Sequence, residues 1–234
     1  MPTEIKARIK EVIQRNYNVK SFRLENGVAL DFKAGQFLSV TLNNDPKLKR
    51  YLSISNSPTE KHYLEFTKKL TQSDFSQALG NLKTGDQVAI QYPFGKFVLD
   101  ESAPKIAFLS GGIGITPIRS ISKYVVDKNL GIDIVLIYSN RSLRDVVFKD
   151  DFDAMAKHYP LLKVAHVLSE TEAGFKGTVG HINSEVIKNE IPDYQQRKFY
   201  LCGPPQMVEA MRKILAEDLN LPVEKIVTEN FQGY

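Results

Sequence analysis

The hydrophobic pattern changes halfway along the chain of 234 residues, and this change restricts the fold more than any other feature. In the first hundred residues, apolar and polar side chains alternate over short runs such as 64–67 and 88–92. Turn-forming tripeptides, for example Thr84-Gly85-Asp86, separate these runs. Short alternating runs with frequent turns are typical of antiparallel strands. We therefore predict an antiparallel β-barrel or β-sandwich in the first half.

The second half contains continuous apolar runs that are separated by helical patterns. The runs lie at 106–109, 132–138, 164–168, 199–201 and 226–227. Met207, Met211 and Leu215 fit the apolar stripe of a helix that packs on one face. Buried strands that alternate with helices predict a parallel sheet with ligands beyond the carboxyl ends of its strands. The polar stretch 99–104 ends in proline and is interpreted as a linker, so the predicted domains are residues 1–100 and 101–234.

Composition narrows the possible functions. No apolar run approaches the roughly 20 residues that a membrane span requires. Residues 1–10 lack the apolar core of a secretory signal, so we expect a cytoplasmic protein with no membrane partner. The only cysteine, Cys202, rules out an internal disulfide and a four-cysteine iron–sulfur or zinc site in this chain. The four histidines show no metal-ligand spacing, and no metal site is predicted.

The net positive charge of the chain comes from its first hundred residues. Residues 1–100 contain 15 Lys and Arg against 10 Asp and Glu, whereas the remainder contains 16 against 17. This excess is either an ordinary solvated surface or a site for phosphates or an acidic partner. The chain has no basic helix and no interleaved basic–aromatic stretch, so nucleic acid is not expected as a partner.

A glycine-rich segment follows the first buried strand and precedes a helix. Gly111, Gly112 and Gly114 allow a sharp turn and a close approach of the backbone to a ligand. Pro117 suits the first helical turn, where its missing N–H is no loss. The free N–H groups at such a turn attract phosphate. The segment indicates either a phosphate-binding loop or a tight turn without a ligand, and three glycines in four positions favour the loop.

Two further segments carry chemical information. Residues 200–207, Tyr-Leu-Cys-Gly-Pro-Pro-Gln-Met, again join a strand to a helix, so we expect Cys202 at the ligand-facing edge of the sheet. A lone cysteine is more often an inert core residue, which is the alternative. The third segment, 50–53 with the sequence Arg-Tyr-Leu-Ser, follows Gly-Gln-Phe at 35–37 and would alone be an ordinary strand.

Together these three segments resemble the ferredoxin–NADP reductase family, whose marks are Arg-x-aromatic-Ser, Gly-Gly-x-Gly-x-Thr-Pro and Cys-Gly-Pro-Pro-x-Met. The resemblance spans nearly the whole chain. It implies an N-terminal antiparallel β-barrel that binds FAD and a C-terminal α/β parallel-sheet domain that binds NADPH or NADH and ends in an aromatic tail. It also implies an oxidoreductase that transfers hydride from the dinucleotide to FAD. Electrons would then pass to a separate, acidic one-electron carrier, a ferredoxin or flavodoxin.

The resemblance assigns roles to individual residues. Arg50 would neutralise the FAD pyrophosphate, Ser53 would bond near flavin N5, and Cys202 and Glu229 would lie beside the nicotinamide. Leu52 stands where the family has an aromatic residue, and its neighbour Tyr51 points to the opposite face of a strand. The other expected cofactor-binding residues are Thr67, Lys68, Phe75, Ser76, Gln77 and Phe231 for FAD, and Gly111, Gly112, Gly114, Thr116, Pro117, Arg141, Gly203, Pro204 and Met207 for the dinucleotide.

Several alternatives remain open at this point. Arg141 follows the second parallel strand, where an arginine can pair with a 2′-phosphate, and this favours NADPH over NADH. Phe231 or Tyr234 either covers the flavin or belongs to a frayed end. The alternative functions are a reductase of free flavin or small acceptors, and a flavin-binding electron-transfer subunit without its own turnover. The oligomeric state is not predicted.

Overall fold

The computed structural model describes residues 3–25 and 31–230, and its first half is a closed antiparallel sheet. The strand order is β4-β3-β6-β1-β2-β5, and a bridge between Ile54 and Phe66 joins the two outer strands. One short helix, α1 (Asp74–Gly80), lies between β5 and β6. The strands are β1 (Thr3–Gln14), β2 (Val19–Glu25), β3 (Phe37–Thr41), β4 (Lys49–Ser53), β5 (Tyr63–Lys69) and β6 (Gln87–Phe94). The predicted β-barrel is therefore confirmed.

The second half is a parallel sheet flanked by helices, which confirms the predicted α/β fold. The strand order is β10-β9-β8-β7-β11-β12, so the chain builds outward from β7 in both directions. Ligands of such sheets bind at this switch point, beyond the carboxyl end of the central strand. The elements are β7 (Lys105–Gly111), α2 (Ile115–Lys128), β8 (Asp133–Asn140), α3 (Lys149–His158), β9 (Leu162–Leu168), β10 (Thr178–Val179), α4 (Ser184–Glu190), β11 (Lys198–Gly203), α5 (Pro205–Lys213) and β12 (Ile226–Asn230).

Both faces of the parallel sheet are buried, which explains its continuous apolar runs. On β7, Phe108 packs toward the cluster that contains Ile121 of α2, whereas Leu109 packs toward the cluster that contains Val208 of α5. Strands covered by helices on both faces have no solvated side to require polar residues.

The two halves pack directly against each other, and Gly35 shows how closely. Its φ is +98°, and an added Cβ would lie 2.1 Å from the carbonyl oxygen of Phe97 and 3.0 Å from Ile121 Cδ1. Only glycine fits this backbone conformation and this space together. The barrel and α2 are thus in contact through a position that the sequence marks with a glycine. No helix within residues 3–25 and 31–230 is long and apolar enough to cross a membrane.

Candidate nucleotide and flavin site

The glycine loop packs onto the turn between β11 and α5. A Cβ on Gly114 would lie 2.3 Å from the carbonyl oxygen of Cys202 and 2.6 Å from Gly203 Cα, so backbone meets backbone there. A Cβ on Gly111 would lie 2.1 Å from the sulfur of Met207. Gly112 instead has φ +52° and open space around it. Two motifs that lie some ninety residues apart in sequence therefore form one continuous surface.

Several motif residues support this surface from below. Thr116 is buried, and its hydroxyl donates a hydrogen bond to the carbonyl of Ile113 at 3.1 Å, which braces the loop. Pro117, Gly114 and Gly203 are buried as well. These residues shape the loop, and their predicted contact with a dinucleotide stays a prediction.

Cys202 is the next-to-last residue of β11, close to the carboxyl edge of the sheet. Its side chain is fully buried, and burial together with the charge of Glu229 raises the pKa of the thiol well above its usual value. A thiol in this environment is neutral at physiological pH. The structure thus places a small, uncharged side chain beneath the loop, and its contact with nicotinamide remains a prediction.

A cleft of about 300 Å³ lies at the carboxyl edge of the parallel sheet and is closed on its other side by the barrel. Five of the expected dinucleotide-binding residues line it: Gly111, Gly112, Arg141, Pro204 and Met207. The sequence analysis did not anticipate the other residues that line it, among them Asn16, Tyr17, Asn18 and Lys69 of the barrel, and Ser139, Asn140, Asp145, Ser169 and His181 of the α/β domain. A position at a strand end could have indicated Ser139, Asn140 and Ser169.

Asn140 shows that the cleft suits a polar ligand. It is the last residue of β8, its side chain is only 6% exposed, and it lines the cleft. Among the described residues, neither polar atom of its carboxamide makes a hydrogen bond of good geometry. A buried amide without partners costs free energy that a bound polar group recovers. The cleft therefore fits a nicotinamide dinucleotide.

Arg141 lies at the exposed rim of this cleft and already has an acidic partner. Its Nε donates to Glu170 at 2.6 Å, and the two side chains are 75% and 51% exposed. Nearby, the backbone N–H of Leu143 donates to Glu172 at 2.8 Å. The rim thus carries carboxylates beside the arginine that was predicted to select NADPH.

On the barrel side, three cations lie close together. Arg50 is half-buried, stands 5.4 Å over the ring of Phe75, and donates to the carbonyls of Lys47 and Lys49. Burial lowers the pKa of Lys68, and the neighbouring charges of Arg50 and Lys69 lower it further. An anion at this place would relieve the repulsion among the cations. The cluster therefore fits the pyrophosphate of FAD.

The flavin motif itself follows the alternation of strand β4. Leu52 is buried in the barrel core, whereas Tyr51 points outward and is 58% exposed. The Tyr51 ring meets Phe37 and Phe94 edge-on, with centroids 5.8 and 5.9 Å apart. Ser53 ends the strand and is buried. Tyr51 and Leu52 thus lie on opposite faces, and Ser53 lies at the point where the strand leaves the barrel wall.

The remaining expected FAD residues make contacts within the barrel. The Thr67 hydroxyl lies 2.7 Å from that of Ser21 and 2.9 Å from that of Ser55. Phe75 belongs to the barrel core, and the Ser76 hydroxyl lies 3.2 Å from the hydroxyl of Ser73. The exposed Gln77 donates to a backbone carbonyl of its own turn. Their contacts with FAD stay predictions.

Glu229 faces the same edge from β12, opposite Cys202 in the strand register. Burial raises its pKa to about 7. Phe231 and Tyr234, the predicted flavin-covering aromatics, lie outside the described residues. Within residues 3–25 and 31–230, no group of three or more His, Cys, Asp and Glu side chains could hold a metal ion.

Comparison with known proteins identifies both domains. A model described as an oxidoreductase FAD-binding domain matches residues 4–99, and one described as an oxidoreductase NAD-binding domain matches residues 108–213. The chain is 31% identical over 228 residues to NADH-cytochrome b5 reductase 1 from Aspergillus fumigatus, covering 91% of this chain and 74% of that protein. The chain belongs to the ferredoxin–NADP reductase family of flavoprotein oxidoreductases, which confirms the predicted family and its cofactors, FAD and a nicotinamide dinucleotide.

Two further similarities set the limits of this assignment. The chain is 31% identical over 219 residues to the glycine betaine monooxygenase reductase subunit of Pseudomonas aeruginosa, covering 89% of this chain but only 59% of that protein's length. A ferredoxin–NADP+ reductase from Neisseria gonorrhoeae with bound FAD and NADP superposes with a TM-score of 0.84 at 21% identity, over 97% of this chain and 98% of that one. The second similarity supports the fold alone.

Proposed function

We propose that this chain takes electrons from a reduced nicotinamide dinucleotide through bound FAD and passes them to a separate one-electron carrier protein. The observation that carries the proposal is the single cleft in which the glycine loop and the turn before Met207 face Lys69 and the segment 16–18 of the barrel. The relatives named as a monooxygenase reductase subunit and as a cytochrome b5 reductase support electron delivery to a partner.

The redox chemistry belongs to the flavin, which accepts two electrons from reduced nicotinamide and can release them one at a time. The role of the chain is to bind FAD and the dinucleotide and to orient them. Arg50 and Lys68 would hold the FAD pyrophosphate, and an arginine suits this role because its planar fork pairs with phosphate oxygens. The backbone at Gly111 and Gly112 would hold the dinucleotide pyrophosphate at the start of α2. Ser53 would donate a hydrogen bond near flavin N5.

Two further groups would act at the nicotinamide end. Cys202, a small side chain whose raised thiol pKa keeps it neutral, would lie beneath the loop that borders the nicotinamide. Glu229 has a pKa of about 7 and so exchanges its proton near physiological pH. Its carboxylate form would stabilise the positive charge that nicotinamide gains when it is oxidised.

The carrier in this proposal is an acidic ferredoxin or flavodoxin. Lys47, Lys49 and Lys69 flank the flavin motif in the half that holds the excess positive charge, whereas the buried Lys68 would serve the FAD pyrophosphate. Redox encounters are small and transient, and charge complementarity mainly raises their association rate. We therefore expect turnover with such a carrier to fall steeply with ionic strength, because exposed charges are screened over about 8 Å at physiological salt.

The first test is an anaerobic titration of the FAD-loaded protein with NADH and with NADPH. Bleaching of the flavin absorbance is expected, and its absence with both would identify a subunit without its own turnover.

The second test measures turnover with ferredoxin, flavodoxin, free FMN and a neutral dye across a salt series. Fast turnover with free FMN and none with either protein would instead support a free-flavin reductase.

A further inference from the structure

A buried arginine joins the two domains one helical turn after the glycine loop. Arg119 of α2 is only 5% exposed. Its two terminal nitrogens donate to the two carboxylate oxygens of Glu60 in the barrel, one of them at 3.1 Å, and one also donates to the carbonyl of Ser55 at 3.2 Å. Its Nε donates to Asp151 of α3 at 3.1 Å. One side chain thus ties α2 both to its own domain and to the barrel.

The neighbouring residue makes a second connection to the same barrel segment. The Ser120 hydroxyl donates to the carbonyl of Asn56 at 2.6 Å. The Asn56 side chain in turn accepts from the backbone of Glu65 at 2.7 Å and donates to the carbonyl of Tyr63 at 2.9 Å. The segment 55–60 is therefore fixed to β5 on one side and to α2 on the other. It begins two residues after Ser53.

Phe148, at the start of α3, completes the contact. It is buried and adopts a left-handed conformation with φ +61°, which costs a non-glycine residue roughly 1–2 kcal/mol. The guanidinium groups of Arg15 and Arg119 both lie over its ring, at 4.8 and 5.7 Å from the ring centroid. Arg15 belongs to the barrel and pairs with the buried Glu65 at 3.1 Å. Such a conformation persists only where surrounding contacts hold it.

We propose that Arg119 is a positioning residue that fixes the distance between Ser53 and the glycine loop by binding Glu60 and Ser55 across the domain interface. The proposal rests on the proposed function, because transfer between dinucleotide and flavin requires that separation to be held. Arg119 itself touches neither cofactor site. A misplacement of about 1 Å in such a geometry can reduce a rate about 10²-fold.

An arginine is required here because the contact uses all three nitrogens of its planar guanidinium group as hydrogen-bond donors. Lysine has a single ammonium group and cannot span both oxygens of Glu60 while also reaching Ser55 and Asp151. Arg119→Lys therefore keeps the positive charge but cannot make all of these hydrogen bonds at once. Arg212→Lys is the matched control, since Arg212 makes a forked pair with Glu209 on the exposed face of α5, far along the chain from the interface.

The experiment uses FAD-loaded protein and stopped-flow reduction by the preferred dinucleotide. For Arg119→Lys we expect unchanged FAD affinity, dinucleotide affinity within about threefold, and a limiting reduction rate lowered roughly 10- to 100-fold. Arg212→Lys should match the wild type. A wild-type limiting rate in Arg119→Lys, or a loss confined to FAD or dinucleotide affinity, overturns the proposal. If Arg119→Lys does not fold, Glu60→Gln and Phe148→Leu carry the same expectation with smaller losses.

A second measurement separates this inference from the proposed function. Nitroxide labels at Lys10→Cys in the barrel and Lys188→Cys in α4, both exposed positions, report the distance between the domains without any turnover. The distribution should be narrow in the otherwise unchanged protein and broader or shifted with Arg119→Lys. An unchanged distribution overturns the positioning role even if the protein reduces flavin, whereas a wild type that reduces no flavin refutes the proposed function alone.

Discussion

The two candidate cofactor sites of this protein differ in the groups that form them. On the dinucleotide side, backbone packs against backbone: Gly114 lies on the carbonyl of Cys202, and Gly112 adopts a left-handed conformation. On the flavin side, charged side chains lie close together, and burial and then the charge of Arg50 lower the pKa of Lys68. A site formed by closely packed main chain is disrupted when a single methyl group fills the space it needs. A site formed by several charged side chains instead loses affinity gradually as the charges are removed. The same difference governs how visible each site is in the sequence.

Gly114→Ala should produce the largest effect, because the new methyl group meets main-chain atoms that cannot move independently. We expect the loop to shift from β11 and kcat/KM for the dinucleotide to fall on the order of 10²-fold. Gly131→Ala is the control: Gly131 lies in the loop before β8 and does not line the cleft, its φ is +70°, and its Cβ would meet nothing within 4 Å, so the change should cost only about 1–2 kcal/mol of unfolding free energy from the left-handed backbone. Equal kinetic losses in both variants would refute the backbone account.

Arg50→Met should weaken the flavin side without abolishing it. Hydrogen bonds to charged groups contribute roughly 1.5–3 kcal/mol, so FAD affinity should fall roughly 10- to 100-fold while the fold is retained. Flavin fluorescence titration of the apoprotein measures the change. Arg8→Met, on the exposed face of β1, makes the same substitution away from the cation cluster and should bind FAD normally. Normal FAD affinity in Arg50→Met would remove this residue from the site.

The fold could be predicted because, in both halves, short stretches of sequence show the pattern of the strand or helix that they form. Alternation over 64–67 lies within β5, the run 132–138 overlaps β8, and the helical stripe that includes Met207 and Met211 begins α5. The glycine loop could be recognised because its residues are consecutive, although the lack of space that makes Gly111 and Gly114 necessary comes from residues 202–207. In each case a few neighbouring residues form the pattern that can be recognised.

The connections between the halves could not be predicted in this way. Arg119 and Glu60 lie 59 residues apart, and neither belongs to a pattern that would single it out. The segment 16–18 lines the cleft although it lies in an ordinary turn after β1. Cys202 stands at the carboxyl end of β11, yet its side chain is fully buried. Long-range packing decides all three placements.

Glu229 should give the dinucleotide end a pH dependence near neutrality. In the proposed role its carboxylate form would stabilise oxidised nicotinamide, so the limiting rate of flavin reduction should rise as pH passes through about 7. A rise of roughly tenfold corresponds to about 1.4 kcal/mol of differential stabilisation. Glu229→Gln should be flat across this range and remain at the low-pH rate. A wild-type profile without an inflection near pH 7 would exclude the titration of Glu229 from the reaction.

The same carboxyl group should affect stability with a defined sign. Burial raises its pKa in the folded state from 4.5 to about 7, so the folded protein binds this proton more tightly than the unfolded chain. Its contribution to stability is therefore present below pH 4.5 and is lost as pH rises toward 7. Denaturant unfolding of the wild type and of Glu229→Gln between pH 4.5 and 7.5 measures this; the difference between the two proteins should change in that window.

Glu170→Gln should produce the smallest change, because it alters an exposed ion pair at the rim rather than either backbone or buried charge. Glu170 accepts a hydrogen bond from the guanidinium of Arg141 at 2.6 Å and would compete with the 2′-phosphate of NADPH for it. Exposed pairs contribute about 0–1 kcal/mol, so releasing Arg141 should raise kcat/KM for NADPH relative to NADH by no more than about fivefold. Arg141→Ala should abolish that gain in the double variant. If neither Glu170→Gln nor Arg141→Ala changes the ratio of kcat/KM for NADPH to that for NADH, the rim does not select between the dinucleotides. The specificity must then arise from residues deeper in the cleft, such as Asn140.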